Sequence, residues 1–143
     1  LLMITAVLLF SCSNWENERY GGDLVKNHSS LKPGASSQMP AIQFDHTEHD
    51  FGKVLSGEKI SYSFKFTNTG KSDLLITKVS ASCGCTVPEY PRTPIAPGKS
   101  DYISVTFNTQ GRKGFQQKSI VVLANTQPNS TTLTIKAMVF QPE

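Results

Sequence analysis

From Ile60 to Thr67 the chain reads Ile-Ser-Tyr-Ser-Phe-Lys-Phe-Thr. In an extended chain, successive side chains point to opposite faces. One face therefore carries Ile60, Tyr62, Phe64 and Phe66, and the other carries hydroxyls and Lys65. That is the pattern of a half-buried strand. The same period of two recurs at Ile42/Phe44, Leu74/Ile76, Ile103/Val105/Phe107 and Leu133/Ile135/Ala137/Val139. Ser119–Ala124 is a more continuous apolar run and is expected to lie deeper.

Turn signals separate these runs: Ser56-Gly57-Glu58, Asn68-Thr69-Gly70-Lys71, Ala96-Pro97-Gly98-Lys99, Gln110-Gly111 and Gln127-Pro128-Asn129. No helical periodicity follows Pro40. Short strands at about ten-residue spacing predict an all-β, immunoglobulin-like β-sandwich of seven to nine antiparallel strands over residues 41–141, with a closed barrel as the alternative. Each strand has one apolar face, and pressing two sheets together hides both sets. The 143 residues, 38% apolar with eight Phe and four Tyr, suffice for one such core but not comfortably for two domains. The Cys-Trp-Cys pattern of antibody domains is absent from the sequence, so the likeness is one of architecture.

The other end of the chain follows different rules. Leu1–Phe10 is apolar except for Thr5 and runs into Ser11-Cys12. Ten residues are too few to span a bilayer but suit the apolar region of a signal peptide. Leu9-Phe10-Ser11-Cys12 resembles the lipobox of bacterial lipoproteins, with Phe10 bulkier than the usual occupant. Residues 1–11 are accordingly read as an incomplete signal peptide, with Cys12 as the lipidated residue. Several acyl chains, at about 0.8 kcal/mol per buried CH₂, would anchor the chain stably. Residues 12–40, rich in Asn, Ser, Gly and Lys, read as a flexible tether spanning roughly 30 Å. Ser13 is not the Asp associated with inner-membrane retention, which favours the outer membrane. The Asn-x-Ser/Thr sequences at Asn27 and Asn129 would matter only in a eukaryotic secretory pathway, against which the lipobox argues.

Two cysteines remain, in Ser82-Cys83-Gly84-Cys85-Thr86. On an extended strand, positions i and i+2 share a face, with Cα atoms about 6.6–6.8 Å apart. That is the upper limit for a disulfide; Gly84 permits the backbone needed to shorten the gap, and a bridge formed there is expected to be strained and more easily reduced than an ordinary structural one. Four readings stay open: a local disulfide in an oxidising compartment, two packed thiols, a copper or zinc site, or a redox pair. A metal site would need further ligands, for which His46 and His49 are the obvious candidates. Three positions apart on a strand, however, they fall on opposite faces.

Other chemistry is not indicated. The sequence contains no nucleophile elbow, phosphate-binding glycine loop, His-Glu-x-x-His or dinucleotide fingerprint. The carboxylates Glu48, Asp50, Asp73, Glu89 and Asp101 are isolated from one another in sequence. Fourteen basic against eleven acidic residues give a net charge of only +3, with the basic ones scattered, so nucleic acid is not an expected partner. Neither a cofactor nor a small-molecule substrate is expected, nor is enzymatic activity.

Taken together, His49-Asp50-Phe51-Gly52, Gly57-Glu58, Phe64-Lys65-Phe66-Thr67-Asn68-Thr69-Gly70, Ser82-Cys83-Gly84-Cys85-Thr86 and Pro97-Gly98 resemble the bacterial domain of unknown function 1573. The resemblance runs from about Ala41 to Val139. It implies a Hydin-type immunoglobulin-like domain, common in secreted or lipid-anchored proteins of Bacteroidetes, and it implies no activity. Gly52, Gly57, Gly70 and Gly98 match positions that look like turn requirements. The resulting expectation is a cell-envelope binding or scaffold module whose partner is another envelope protein or a glycan, with strand addition to an open sheet edge as one mode. Thiol or metal chemistry at Cys83 and Cys85 is the alternative.

Overall fold

The computed structural model describes residues 38–142. The expected signal segment, Cys12 and most of the expected tether lie outside them. Eight strands form two four-stranded sheets: β1 (Ile42–Phe44), β2 (Glu48–Leu55), β3 (Lys59–Asn68), β4 (Ile76–Ala81), β5 (Thr86–Glu89), β6 (Ser100–Asn108), β7 (Gly114–Ala124) and β8 (Ser130–Phe140). Sheet A has the order β1-β3-β6-β5 and sheet B the order β2-β8-β7-β4. This is the sandwich that the alternation predicts, not the barrel.

The alternating residues meet between the sheets. Phe64 and Phe66 of β3 and Ile103, Val105 and Phe107 of β6 are buried together with Ile120 and Val122 of β7 and Leu133, Ile135 and Val139 of β8. Burying a side chain of this size contributes about 1.5–3 kcal/mol relative to leaving it exposed. β3 and β6 pair in register over their length, from Lys59↔Asn108 to Thr67↔Ser100. This register puts the apolar residues of both strands on one face.

Four features differ from the sequence reading. Ser119–Ala124 is not buried throughout, because Ile120 and Val122 face the core while Val121 is exposed on the outer face. Leu74 precedes β4 and makes an isolated bridge to Ile95, with both side chains buried. The pairing of β2 with β8 is parallel, the one exception among antiparallel neighbours. It arises because the chain passes from the β1 edge of sheet A to the β2 edge of sheet B through Asp45–Thr47 alone.

Gly70 differs as well. Its role is not a turn conformation: a Cβ there would press on the backbone of Met39, Pro40 and Ala41, lying 2.6 Å from the Pro40 carbonyl carbon. The close approach is built around Asn68, which is fully buried. The Asn68 Nδ2 donates to the carbonyls of Ser72 and Ile95 at 2.8 and 2.9 Å, and its Oδ1 accepts from Gly70 N at 3.0 Å. Thr69 N and Lys71 N then donate to the carbonyls of Ala41 and Met39. A second buried polar residue, Thr109, ties the β2–β3 turn to the end of β6. Its hydroxyl lies 2.9 and 2.8 Å from the carbonyls of Leu55 and Glu58 and accepts from Gly57 N at 3.1 Å.

Candidate functional site: edges, outer faces and a bridged turn

The topology separates the cysteines from the histidines. β1 and β2 occupy one lateral edge of the sandwich and β4 and β5 the other. His46 is exposed in the β1–β2 crossover, and His49 stands in β2. Cys83 and Cys85 stand in the β4–β5 crossover, on the far side. The four residues therefore do not form one metal site. No group of three or more His, Cys, Asp or Glu placed to hold a metal occurs among the described residues. His49 instead packs against neighbouring rings. It is half-buried, with its ring stacked on Tyr62 of β3 at 3.6 Å between centroids and meeting Phe51 edge-on at 4.6 Å.

Cys83 and Cys85 are joined by a disulfide. The extended-strand separation does not apply, because Cys83-Gly84-Cys85 forms a turn with Cα atoms 5.3 Å apart. The turn is held by the backbone independently of the sulfurs. Thr86 N donates to Cys83 O, Asn108 N to Cys85 O and Ser82 N to Ser119 O. Closing so short a loop contributes only about 1.6 kcal/mol through chain entropy, against about 3 kcal/mol for a fifteen-residue loop. Thr86 lies directly beneath the bridge and is 4% exposed. Its Oγ1 is 3.5 Å from Cys83 Sγ and 3.9 Å from Cys85 Sγ. A bridged sulfur has no hydrogen, so the Thr86 hydroxyl is the donor.

All four edge strands are poorly suited to strand addition. β1 has three residues, while β5 has four and includes Pro88, which lacks an N–H. β2 bears Glu48, Asp50 and Lys53 and is interrupted by a bulge between Asp50 and Lys53. There Gly52, at φ +69°, donates its N–H to Asp50 Oδ1. β4 has a register shift between Ile76 and Lys78. Short, charged, bulged and proline-bearing edges resist pairing with another chain.

The outer faces differ from each other. On sheet A, hydroxyls satisfy one another across β3 and β6: Ser61 with Thr106, Ser63 with Ser104 and Thr67 with Ser100, each at 2.8 Å. On sheet B, large apolar side chains gather at one corner. Phe115 of β7 stands opposite Met138 of β8, and Phe140, two residues on, stands opposite Leu55 of β2. Their exposures are 58, 43, 44 and 38%. Lys53, opposite Met138 in the parallel pair, borders the patch and is also exposed. Met138 and Phe140 fall out of phase with Leu133, Ile135, Ala137 and Val139, so the alternation itself carries the signal for their outward placement.

A small crevice lined by Ala41, Ile42, Thr126, Gln127, Pro128 and Thr131, with an empty volume of about 300 Å³, has no titratable side chain. Glu48 is held by Lys136 at 2.7 Å, and Asp45 lies 4.0 Å from Lys65.

Two facing sheets with cross-sheet edge connections define an immunoglobulin-like β-sandwich. Within that class the chain belongs to the family described as "Protein of unknown function (DUF1573)", which matches residues 42–139. Among solved structures, it resembles a protein of unknown function from Porphyromonas gingivalis W83. That match has a TM-score of 0.64 and 21% identity, over 72% of this chain and 48% of the other, so this chain spans about half the length of that protein. The ASH/PapD-like domain 7 of human CEP192 aligns with a TM-score of 0.59 at 12% identity, over 76% of this chain and 89% of that domain. The CsuC–CsuE chaperone–tip adhesion subunit complex of Acinetobacter baumannii gives 0.50 and 14%, over 71% and 52%. No curated protein matches the chain. These likenesses concern the fold.

Proposed function

We propose that the protein is a lipid-anchored, non-enzymatic binding module of the cell envelope, held to the outer membrane through Cys12 and recognising another envelope protein through the outer face of sheet B. The observation that carries this reading is the Phe115–Met138–Phe140–Leu55 patch, contiguous through the β2–β8–β7 register and exposed. Exposed apolar clusters of this kind mark interaction surfaces, and large apolar side chains dominate interface energetics. Lys53 beside the patch favours a partner whose apolar residues are flanked by carboxylates. The self-paired hydroxyls of sheet A and the blunted edges make the competing surfaces weaker candidates, a glycan on the hydroxyl face included. A fold of this kind accommodates protein partners, as in the Acinetobacter chaperone complex.

The experiment is capture from a crosslinked envelope with the wild-type chain and with the Phe115→Ser/Phe140→Ser variant. The expected result is a defined, stoichiometric partner with the first and its loss with the second. Equal recovery with both, or bulk membrane protein alone, would contradict the reading. Anchoring is checked separately: Cys12→Ala is expected to abolish fatty-acid labelling and move the protein out of the membrane fraction.

A further inference from the structure

We infer that the Cys83–Cys85 bridge is a thiol–disulfide exchange site, with Thr86 as the positioning residue that favours its reduced state. Three observations converge. Both cysteines are half-buried, so an external thiol can reach the pair. The turn is held by three backbone hydrogen bonds that do not involve sulfur, so opening the bridge leaves the β4–β5 crossover in place. The third is the hydroxyl of Thr86, a residue only 4% exposed, whose hydrogen-bond partners among the described residues are the two sulfurs.

A bridged sulfur is a weak acceptor, whereas a thiolate is a charged one. The same buried O–H therefore makes a stronger bond once the disulfide opens, and a hydrogen bond to the charged form favours that form. A hydroxyl paired in this way with sulfur adds little to a merely structural bridge and specifically stabilises its reduced product.

The exchange proceeds in two steps. A thiolate R–S⁻ attacks Cys85 Sγ, forming a mixed disulfide and breaking the Cys83–Cys85 bond. Cys83 leaves as the thiolate that receives the Thr86 O–H, since its sulfur is the nearer of the two. A second R–S⁻ attacks the external sulfur of the mixed disulfide, releasing R–S–S–R and the Cys85 thiolate. Two thiols are oxidised, the bridge gains two electrons, the Cys85 thiolate takes up a proton from solvent, and Cys83 stays the thiolate that the Thr86 hydroxyl holds. The substrate class is a thiol, either a small monothiol or a cysteine pair of another protein.

The test equilibrates the oxidised protein with glutathione buffers, traps free thiols by alkylation and reads the mass, while circular dichroism follows the fold. The expected result is full reduction with the strand spectrum retained. Thr86→Val should need an approximately tenfold more reducing buffer to reach its midpoint, and Thr86→Ser should stay near wild type. In a parallel arm, a reduced two-cysteine peptide replaces glutathione at equal thiol concentration. Faster reduction by the peptide assigns the site to protein thiols, and faster reduction by glutathione assigns it to small thiols. A bridge that resists both until the chain unfolds would overturn the inference, as would coincident midpoints for wild type and a folded Thr86→Val.

Discussion

The imidazole of His49 lies flat on the phenol ring of Tyr62, with centroids 3.6 Å apart and 9° between the planes. His49 belongs to β2 of sheet B and Tyr62 to β3 of sheet A, so this stack closes one lateral edge of the sandwich. An aromatic pair contributes about 0.5–1.5 kcal/mol beyond its area burial. His49→Ala is therefore expected to lower unfolding stability by about 1–2 kcal/mol in urea titrations. With His49 packed in this way, added zinc is expected to leave the wild-type melting temperature unchanged. A metal-dependent upward shift would restore the ligand reading.

Asn68 satisfies a cluster of backbone groups that no other side chain among the described residues bonds. Asn68→Ala leaves the Gly70 N–H and the carbonyls of Ser72 and Ile95 without this partner. The Ile95 carbonyl keeps its bond from Leu74 N, while the Gly70 N–H and the Ser72 carbonyl lose theirs; at about 1–3 kcal/mol per orphaned polar group, a loss of about 2–4 kcal/mol is expected. Asn68→Asp should fare little better, because a carboxylate cannot donate to the two carbonyls. Chemical denaturation of both variants checks the point.

Gly70→Ala tests a steric claim. The added methyl meets the backbone of Met39, Pro40 and Ala41, which cannot rotate away as a flexible side chain would. The expected cost is at least about 3 kcal/mol, well beyond the roughly 1 kcal/mol typical of a point substitution. Loosened amide exchange should concentrate at Thr69 and Lys71, whose N–H groups bond the same segment. A neutral outcome would mean that the β1 lead-in is not held as described.

Phe115→Ser and Phe140→Ser are expected to change stability by less than about 1 kcal/mol, because both side chains stand outside the core. A function borne by the patch separates binding from folding in these variants. Melting temperatures should match while partner capture is lost.

Much of this fold was legible because its strands have one apolar and one polar face. β3, β6 and β8 follow strict alternation, and the same parity is what buries Phe64, Ile103 and Leu133. β2 was hidden because the bulge at Gly52 shifts the inward phase from His49 and Phe51 to Val54, so no single period runs through it. β5 was hidden because it reverses the rule, burying Thr86 and exposing Val87, and carries a proline. The Cys83-Gly84-Cys85 element was visible as a motif, but strand spacing was the wrong ruler for a turn. Opposite-edge placement of the histidines and cysteines depends on strand order, which local periodicity does not encode.

The most direct test places a photoactivatable crosslinker at position 115 on the outer face of sheet B and, separately, at position 63 on the outer face of sheet A, in the full chain in living bacteria. One discrete adduct is expected from position 115 and none from position 63. An adduct from position 63 alone, or the same adducts from both, would contradict the assignment of the Phe115–Phe140 corner as the docking surface.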